Sequence, residues 1–181
     1  MEYIFYLTNS CNLKCKYCYE KNKLNKVIDF NIIERLLKKR INSKDTNTTI
    51  AFFGGEPLLE KQILYDTVNL CKDLEKESKH RFFYSLTTNG TLIDDEFIKF
   101  CKENNISVGI SIDGDEYSHN LNRSDFELKG SFERVLENTK KCINANLNCM
   151  ALPVICFNNV KYLGSTIPCS ILLIVEGSSP R

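Results

Sequence analysis

Short β-branched and aromatic runs alternate with amphipathic helical stretches along this 181-residue chain, and the first four runs each stop at a cysteine loop or a glycine turn. Tyr3–Leu7 is an apolar run that ends at a loop carrying three cysteines. Asn31–Ile41 places Ile32, Ile33, Leu36, Leu37 and Ile41 at helical spacing. Thr48–Phe53 is β-branched and aromatic and breaks at Gly54-Gly55. Gln62–Lys76 reads as a helix with Ile63, Val68, Leu70 and Leu74 as its apolar positions. Phe82–Thr87 is a strand that stops at the turn pair Asn89-Gly90. Asp94–Glu103 follows as a helix, and Ile106–Ile112 as a strand that stops at Asp113-Gly114. Phe132–Ala145 is a helix with Val135, Leu136 and Cys142 facing inward. Cys149–Cys156 is a fifth strand, with Pro153 awkward inside it because proline cannot donate to a ladder. Strands that alternate with helices predict a parallel sheet with helices outside it. Right-handed crossovers curl such a sheet into part of a (β/α) barrel. In such barrels the chemistry sits at the C-terminal ends of the strands.

That rule gathers the motifs. The cysteine loop follows strand one, Gly54–Pro57 strand two, Asn89-Gly90 strand three and Asp113-Gly114 strand four, so all four fall on one rim. Cys11, Cys15 and Cys18 lie in LTNSCNLKCKYCYE, separated by three and then two residues. Thiolate is the usual protein ligand of each iron in a [4Fe–4S] cluster. Three thiolates hold three irons and leave the fourth open to a small chelating molecule. Zinc with a fourth ligand from elsewhere is an alternative, as are plain small hydrophobes. A zinc knuckle would want a second close pair, and His80 and His119 stand far apart.

The paired glycines of Gly54-Gly55-Glu56-Pro57 allow backbone to approach a ligand closely, and Glu56 adds a negative charge. A third element reads SIDGDEYSHNLNR, from Ser111 through Asp113 and His119 to Arg123. A serine hydroxyl suits a ribose, and a guanidinium suits a carboxylate through paired hydrogen bonds. A tight turn at Gly54-Gly55, a turn at Asp113-Gly114 and a surface role for Arg123 are the plainer readings.

Charge gives no argument for nucleic acid or for an acidic membrane: 24 basic residues meet 23 acidic ones, for a formal net charge of +1. The N-terminus MEYIFYLTNS lacks a basic region and a long apolar core, so no signal peptide is expected. The apolar stretch Ile171–Val175 is too short to span a bilayer. A cytoplasmic setting is expected, where thiols stay reduced. The other six cysteines, Cys71, Cys101, Cys142, Cys149, Cys156 and Cys169, are scattered and read as buried or incidental thiols.

The cysteine spacing, with Tyr17 just before the last cysteine, resembles the radical S-adenosylmethionine (SAM) superfamily. The GGEP and SxDG…H…R elements make the chain similar to the cores of the SPASM-type members that modify peptides and proteins, the sulfatase- and ribosomal-peptide-maturing groups. The likeness covers roughly residues 3–160. It implies a [4Fe–4S] cluster on Cys11, Cys15 and Cys18, and SAM chelating the open iron. Reductive cleavage of SAM would then give a 5′-deoxyadenosyl radical that abstracts hydrogen from a peptide or protein substrate. An electron donor of flavodoxin or ferredoxin type is implied as a partner. The same resemblance implies SAM contacts at Tyr17, Gly54, Gly55, Glu56, Pro57, Ser111 and Arg123, with Asn89, Asp113 and His119 shaping the site. Phe53 departs from the pattern, standing where some sulfatase-maturing relatives have a polar residue.

The expected organisation is a core over 1–163 and an atypical tail over 164–181, a degraded sixth strand or a truncation, so that the barrel stops after about five or six strands. Relatives continue into a cysteine-rich domain holding auxiliary clusters. Two other readings stay open. An iron–sulfur electron carrier would need a fourth ligand. An inactive fragment of a maturase would expose a sheet edge.

Overall fold

The computed structural model describes residues 1–20, 25–157 and 159–162. Its centre is one all-parallel sheet of five strands: β1 (Glu2–Tyr6), β2 (Asn47–Phe53), β3 (Arg81–Thr88), β4 (Ser107–Ile110) and β5 (Cys149–Ala151). They lie in the order β1-β2-β3-β4-β5. Register runs without a break, from Ile4 opposite Ala51, through Ala51 opposite Ser85, to Ser85 opposite Ser107. Sequential order with no reversal is the winding of a (β/α) barrel, whereas a doubly wound sheet reverses partway. The fold is therefore an incomplete barrel, as expected from the alternation.

Five helices connect or follow the strands: α1 (Phe30–Arg40), α2 (Lys61–Glu77), α3 (Asp95–Glu103), α4 (Glu116–Asn122) and α5 (Phe132–Asn144). A 3-10 turn over Pro57–Glu60 precedes α2. Aspartates start three helices. Asp29 accepts from Asn31 N at 2.9 Å, Asp94 from Phe97 N at 2.8 Å and Asp115 from Ser118 N at 2.8 Å, each satisfying a donor the helix leaves unpaired.

The core lies between the helices and one face of the sheet. Phe5, Ile50, Phe52, Leu86, Val108 and Ile110 on the strands meet Ile33, Leu37, Leu64, Val68, Phe97 and Val135 on the helices, all essentially inaccessible. Each such side chain contributes about 1.5–3 kcal/mol by leaving water. The alternate strand positions face the other way, and Ile4, Tyr6, Phe83 and Met150 stay about half exposed there. That open face is the barrel interior.

Three details differ from the sequence reading. Ile32 is exposed, because Ile33 and Leu37 take the buried side of α1 and Ile32 falls at the edge of the stripe. The fifth strand ends at Ala151 rather than Cys156. Leu152 N still bonds Ile110 O at 2.8 Å, then Pro153 brings no N–H, and Val154 N turns instead to Asp113 Oδ1 at 2.9 Å. Helix α4 was not anticipated: EYSHNLN is short and polar, with no apolar period to reveal it. The suggested sixth strand at Ile171–Val175, and the tail with it, lies outside the described residues.

Candidate cluster and cofactor site

The cysteine loop leaves β1 and is held on both flanks. On one side Gly55 N donates to Thr8 O and Glu56 N to Ser10 O, both at 2.8 Å. On the other, Lys14 N donates to Ser124 O at 2.7 Å and Lys16 N to Asn122 O at 2.9 Å. Leu13 is buried beneath the loop, and Cys18 N closes a turn onto Cys15 O at 3.2 Å. The backbone is thus fixed while the three thiols remain half-buried and face one cavity of about 400 Å³.

The paired glycines answer to that loop. Gly54 has a φ of 143°, and a Cβ on it would overlap Thr8 O. A Cβ on Gly55 would stand 2.7 Å from Asn9 O and closer still to Ser10 O. The close approach is first between two stretches of backbone, strand end against cysteine loop.

Glu56 turns inward and is fully buried. Its Oε1 accepts from Thr88 Oγ1 at 2.7 Å and Leu58 N at 3.0 Å, and its Oε2 accepts from Asn89 N at 2.7 Å. Burial pushes its carboxyl up from the ordinary range, and those three hydrogen bonds oppose the push. Glu56 ties the ends of β2 and β3 together. Asn89 stands next to the cysteine loop, with its Nδ2 3.8 Å from Cys11 Sγ and 2.8 Å from Asn12 Oδ1.

The fourth strand end carries a buried ion pair. Arg123 Nε and Nη2 donate to Asp113 Oδ2 and Oδ1 at 3.0 and 3.1 Å. The Tyr17 hydroxyl also donates to Asp113, and the Arg123 guanidinium lies over the Tyr17 ring, 5.2 Å from its centre. Burial raises the Tyr17 phenol far above its usual value, Arg123 opposing and Asp113 adding to the rise. Burial by itself would lower the Arg123 guanidinium; Tyr17 and Asp113 outweigh it and hold the group charged.

His119 is completely buried behind this pair. Its Nδ1 accepts from Asp113 N at 3.3 Å, and its Nε2 lies 2.9 Å from Ser131 Oγ, which donates to Arg123 O at 3.1 Å. The Nδ1 acceptor makes the Nε2–H tautomer the consistent one. Burial, and then the nearby Arg123 charge, lower the imidazole to about 4.

Of the residues singled out in the sequence, Cys11, Cys15, Tyr17, Cys18, Gly54, Gly55, Asn89, Ser111 and Arg123 line the cavity together. Glu56, Pro57, Asp113 and His119 are buried and not among its lining residues. Leu152, Pro153 and Val154 line it as well and were not anticipated. They follow β5, so the strand-end rule could have found them. Among the described residues no three His, Cys, Asp or Glu side chains converge as ligands of a single ion would. A four-iron cluster asks something else of the chain, a separate iron for each thiolate along one cavity wall, and three half-buried thiols on a braced loop fit that demand.

The profile of the radical SAM superfamily matches residues 5–167. The chain belongs to that superfamily, a family of enzymes that work with a [4Fe–4S] cluster and SAM. It is 37% identical over 141 residues to a cysteine-type anaerobic sulfatase-maturating enzyme of Clostridium novyi, covering 74% of this chain and 37% of that protein. It is 32% identical over 156 residues to a serine-type enzyme of Bacteroides thetaiotaomicron, covering 78% of this chain and 36% of that one. The solved structure of native anSMEcpe with bound AdoMet and Cp18Cys peptide superposes with a TM-score of 0.84 at 28% identity, over 93% of this chain and 46% of its own. The chain thus spans less than half the length of these relatives.

Proposed function

We propose that this chain is the SAM-cleaving core of a peptide- or protein-modifying radical enzyme. Cys11, Cys15 and Cys18 would hold a [4Fe–4S] cluster. Tyr17, Gly54, Gly55, Ser111 and Arg123 would form the SAM side of the cavity, with Asn89 bordering the cluster and Glu56, Pro57 and Asp113 supporting the rim from behind. The cluster, when bound with SAM, supplies one-electron cleavage of the sulfonium and a hydrogen-abstracting equivalent. The chain's own share is to orient and to exclude water. Arg123, two of whose N–H groups are held by Asp113, would offer its remaining guanidinium donors to a polar group, and Tyr17 offers a ring immobilised by Asp113. Leu152 and Val154 place apolar surface on the cavity's far wall. The observation that carries the reading is that three thiols and three further strand-end motifs, far apart in sequence, line or brace one cavity.

The sulfatase-maturating relatives and the peptide-bound neighbour favour a peptide or protein substrate. Exposed Lys14 and Lys16 on the cysteine loop suit an acidic electron donor of flavodoxin or ferredoxin type. No helix among the described residues is long and apolar enough to cross a membrane, and the reduced thiols such a site needs favour the cytoplasm. We divide the chain into a core over 1–163 and a tail over 164–181. Anaerobic reconstitution tests the reading. The protein should take up about four irons and release 5′-deoxyadenosine from SAM under reduction, and Cys11, Cys15 and Cys18 changed together to Ala should do neither. A triple variant that still holds a full cluster would refute it.

A further inference from the structure

Asn89 is surrounded in a way that a ligand contact does not require. Asn12 Nδ2 donates to Thr91 Oγ1 at 2.8 Å, Thr91 Oγ1 donates to Asn89 Oδ1 at 2.7 Å, and Asn89 Nδ2 donates to Asn12 Oδ1 at 2.8 Å. These three bonds close a ring that runs in one direction. Thr91 N also donates to Asn89 Oδ1, at 3.0 Å. A backbone N–H can only donate, so it fixes which end of the amide is oxygen. The other end must then be the NH₂ group, and the hydrogen not used on Asn12 is left for Cys11 Sγ at 3.8 Å. The Asn89 backbone is pinned in turn by its N–H on buried Glu56. Cys11 Sγ receives a second donor, Leu13 N, at 3.4 Å.

We propose that Asn89 is a positioning residue whose amide N–H, locked by Thr91 and Asn12, holds the Cys11 thiolate and raises the reduction potential of the cluster bound there. The inference rests on the cluster reading above. A donor aimed at a ligating sulfur stabilises the more negative, reduced state, and hydrogen bonds to sulfur are among the protein's levers on cluster potential. The ring makes the donor a permanent one, because turning the amide would break four bonds at once. The exchange is one electron onto the cluster with no proton moved.

The test uses the whole chain, reconstituted anaerobically, with neither SAM nor substrate present. Iron content is measured, and the one-electron potential is read by a redox titration followed by EPR of the reduced cluster. Asn89→Ala should keep its iron and take up the electron about tenfold less favourably, which is about 59 mV lower. Asn89→Asp, of the same shape but with a carboxylate facing Cys11, should fall further. Thr91→Val, which keeps the amide but loses the hydroxyl that locks it, should fall between wild type and Asn89→Ala. Equal potentials in wild type and the iron-loaded Asn89 variants would overturn the inference. So would iron loss in both Asn89 variants together with an unchanged potential in Thr91→Val, which would make the residue structural. A wild-type chain that takes up no iron would fail the cluster reading itself, and is told apart at the first measurement.

Discussion

Acid should loosen this protein through His119 before it protonates most carboxylates. In the folded chain Nδ1 already accepts the Asp113 N–H, so a proton there must break that bond and place a second positive charge beside Arg123. The imidazole therefore titrates at about 4 folded and near 6.5 unfolded. The unfolded chain binds the extra proton between those values, so stability is complete above about pH 6.5 and is lost as pH falls toward 4. Integrated from pH 7 to pH 5, His119 alone accounts for a loss of about 2 kcal/mol. His119→Asn keeps an oxygen acceptor near the Nδ1 position and does not titrate. It should be less stable than wild type at pH 7, because the Ser131 contact is gone. Urea unfolding of both proteins at the two pH values isolates the effect from every other titrating group. The wild-type advantage should shrink by about 2 kcal/mol at the lower pH. An advantage of the same size at pH 7 and pH 5 would refute the assignment of His119 as a buried neutral acceptor.

Two further outcomes are expected. Gly55→Ala should destabilise by about 2–4 kcal/mol, from overpacking against Ser10 O and Asn9 O and from the strained Thr8 bond; iron uptake should fall together with SAM affinity, and a variant that loses SAM binding with its cluster intact would return the glycines to a purely ligand-facing role. Asp113→Asn leaves the Arg123 charge buried without its counter-ion and should cost about 3–5 kcal/mol in chemical denaturation, whereas a loss below about 1 kcal/mol would mean that solvent reaches the pair.

The sheet was legible because period and punctuation agree. Each of the first four strands is a β-branched or aromatic run that stops at a breaker, and an alternation of that kind leaves one common winding. The site was legible as a rim, since each motif sits at a strand end. What a sequence does not show is the direction a side chain takes. Glu56 reads as a charge offered to a ligand, yet in the structure it points into the protein and joins β2 to β3. The glycines read as room for a cofactor, yet the nearest group is the backbone of Thr8, Asn9 and Ser10. Pairings such as Asn89 with Cys11, 78 positions apart, are set by strand register, and no local period encodes them. Helix α4 was hidden for the opposite reason. Its capping aspartate was visible, but seven residues whose one aliphatic side chain is Leu121 carry no apolar stripe to mark a helix.

The rim residues are each other's principal partners, and that explains why Glu56, Asp113 and His119 turn away from the cavity that the others line. Gly55 and Glu56 hold Thr8 and Ser10, Glu56 holds Asn89, and Asn89 holds Asn12 and Cys11. On the far side Asp113 holds Tyr17 and Arg123, while His119 and Ser131 hold the backbone of both Asp113 and Arg123. The cysteine loop has no regular structure of its own between Ser10 and Glu20. A loop of that kind pays conformational entropy whenever it is ordered by a ligand. Two braces, one reaching Cys11 and the other reaching Tyr17 between Cys15 and Cys18, meet that cost during folding. On the proposed reading the thiols would be oriented before a cluster arrives, and Glu56, Asp113 and His119, which are not among the cavity's lining residues, would serve the site from behind.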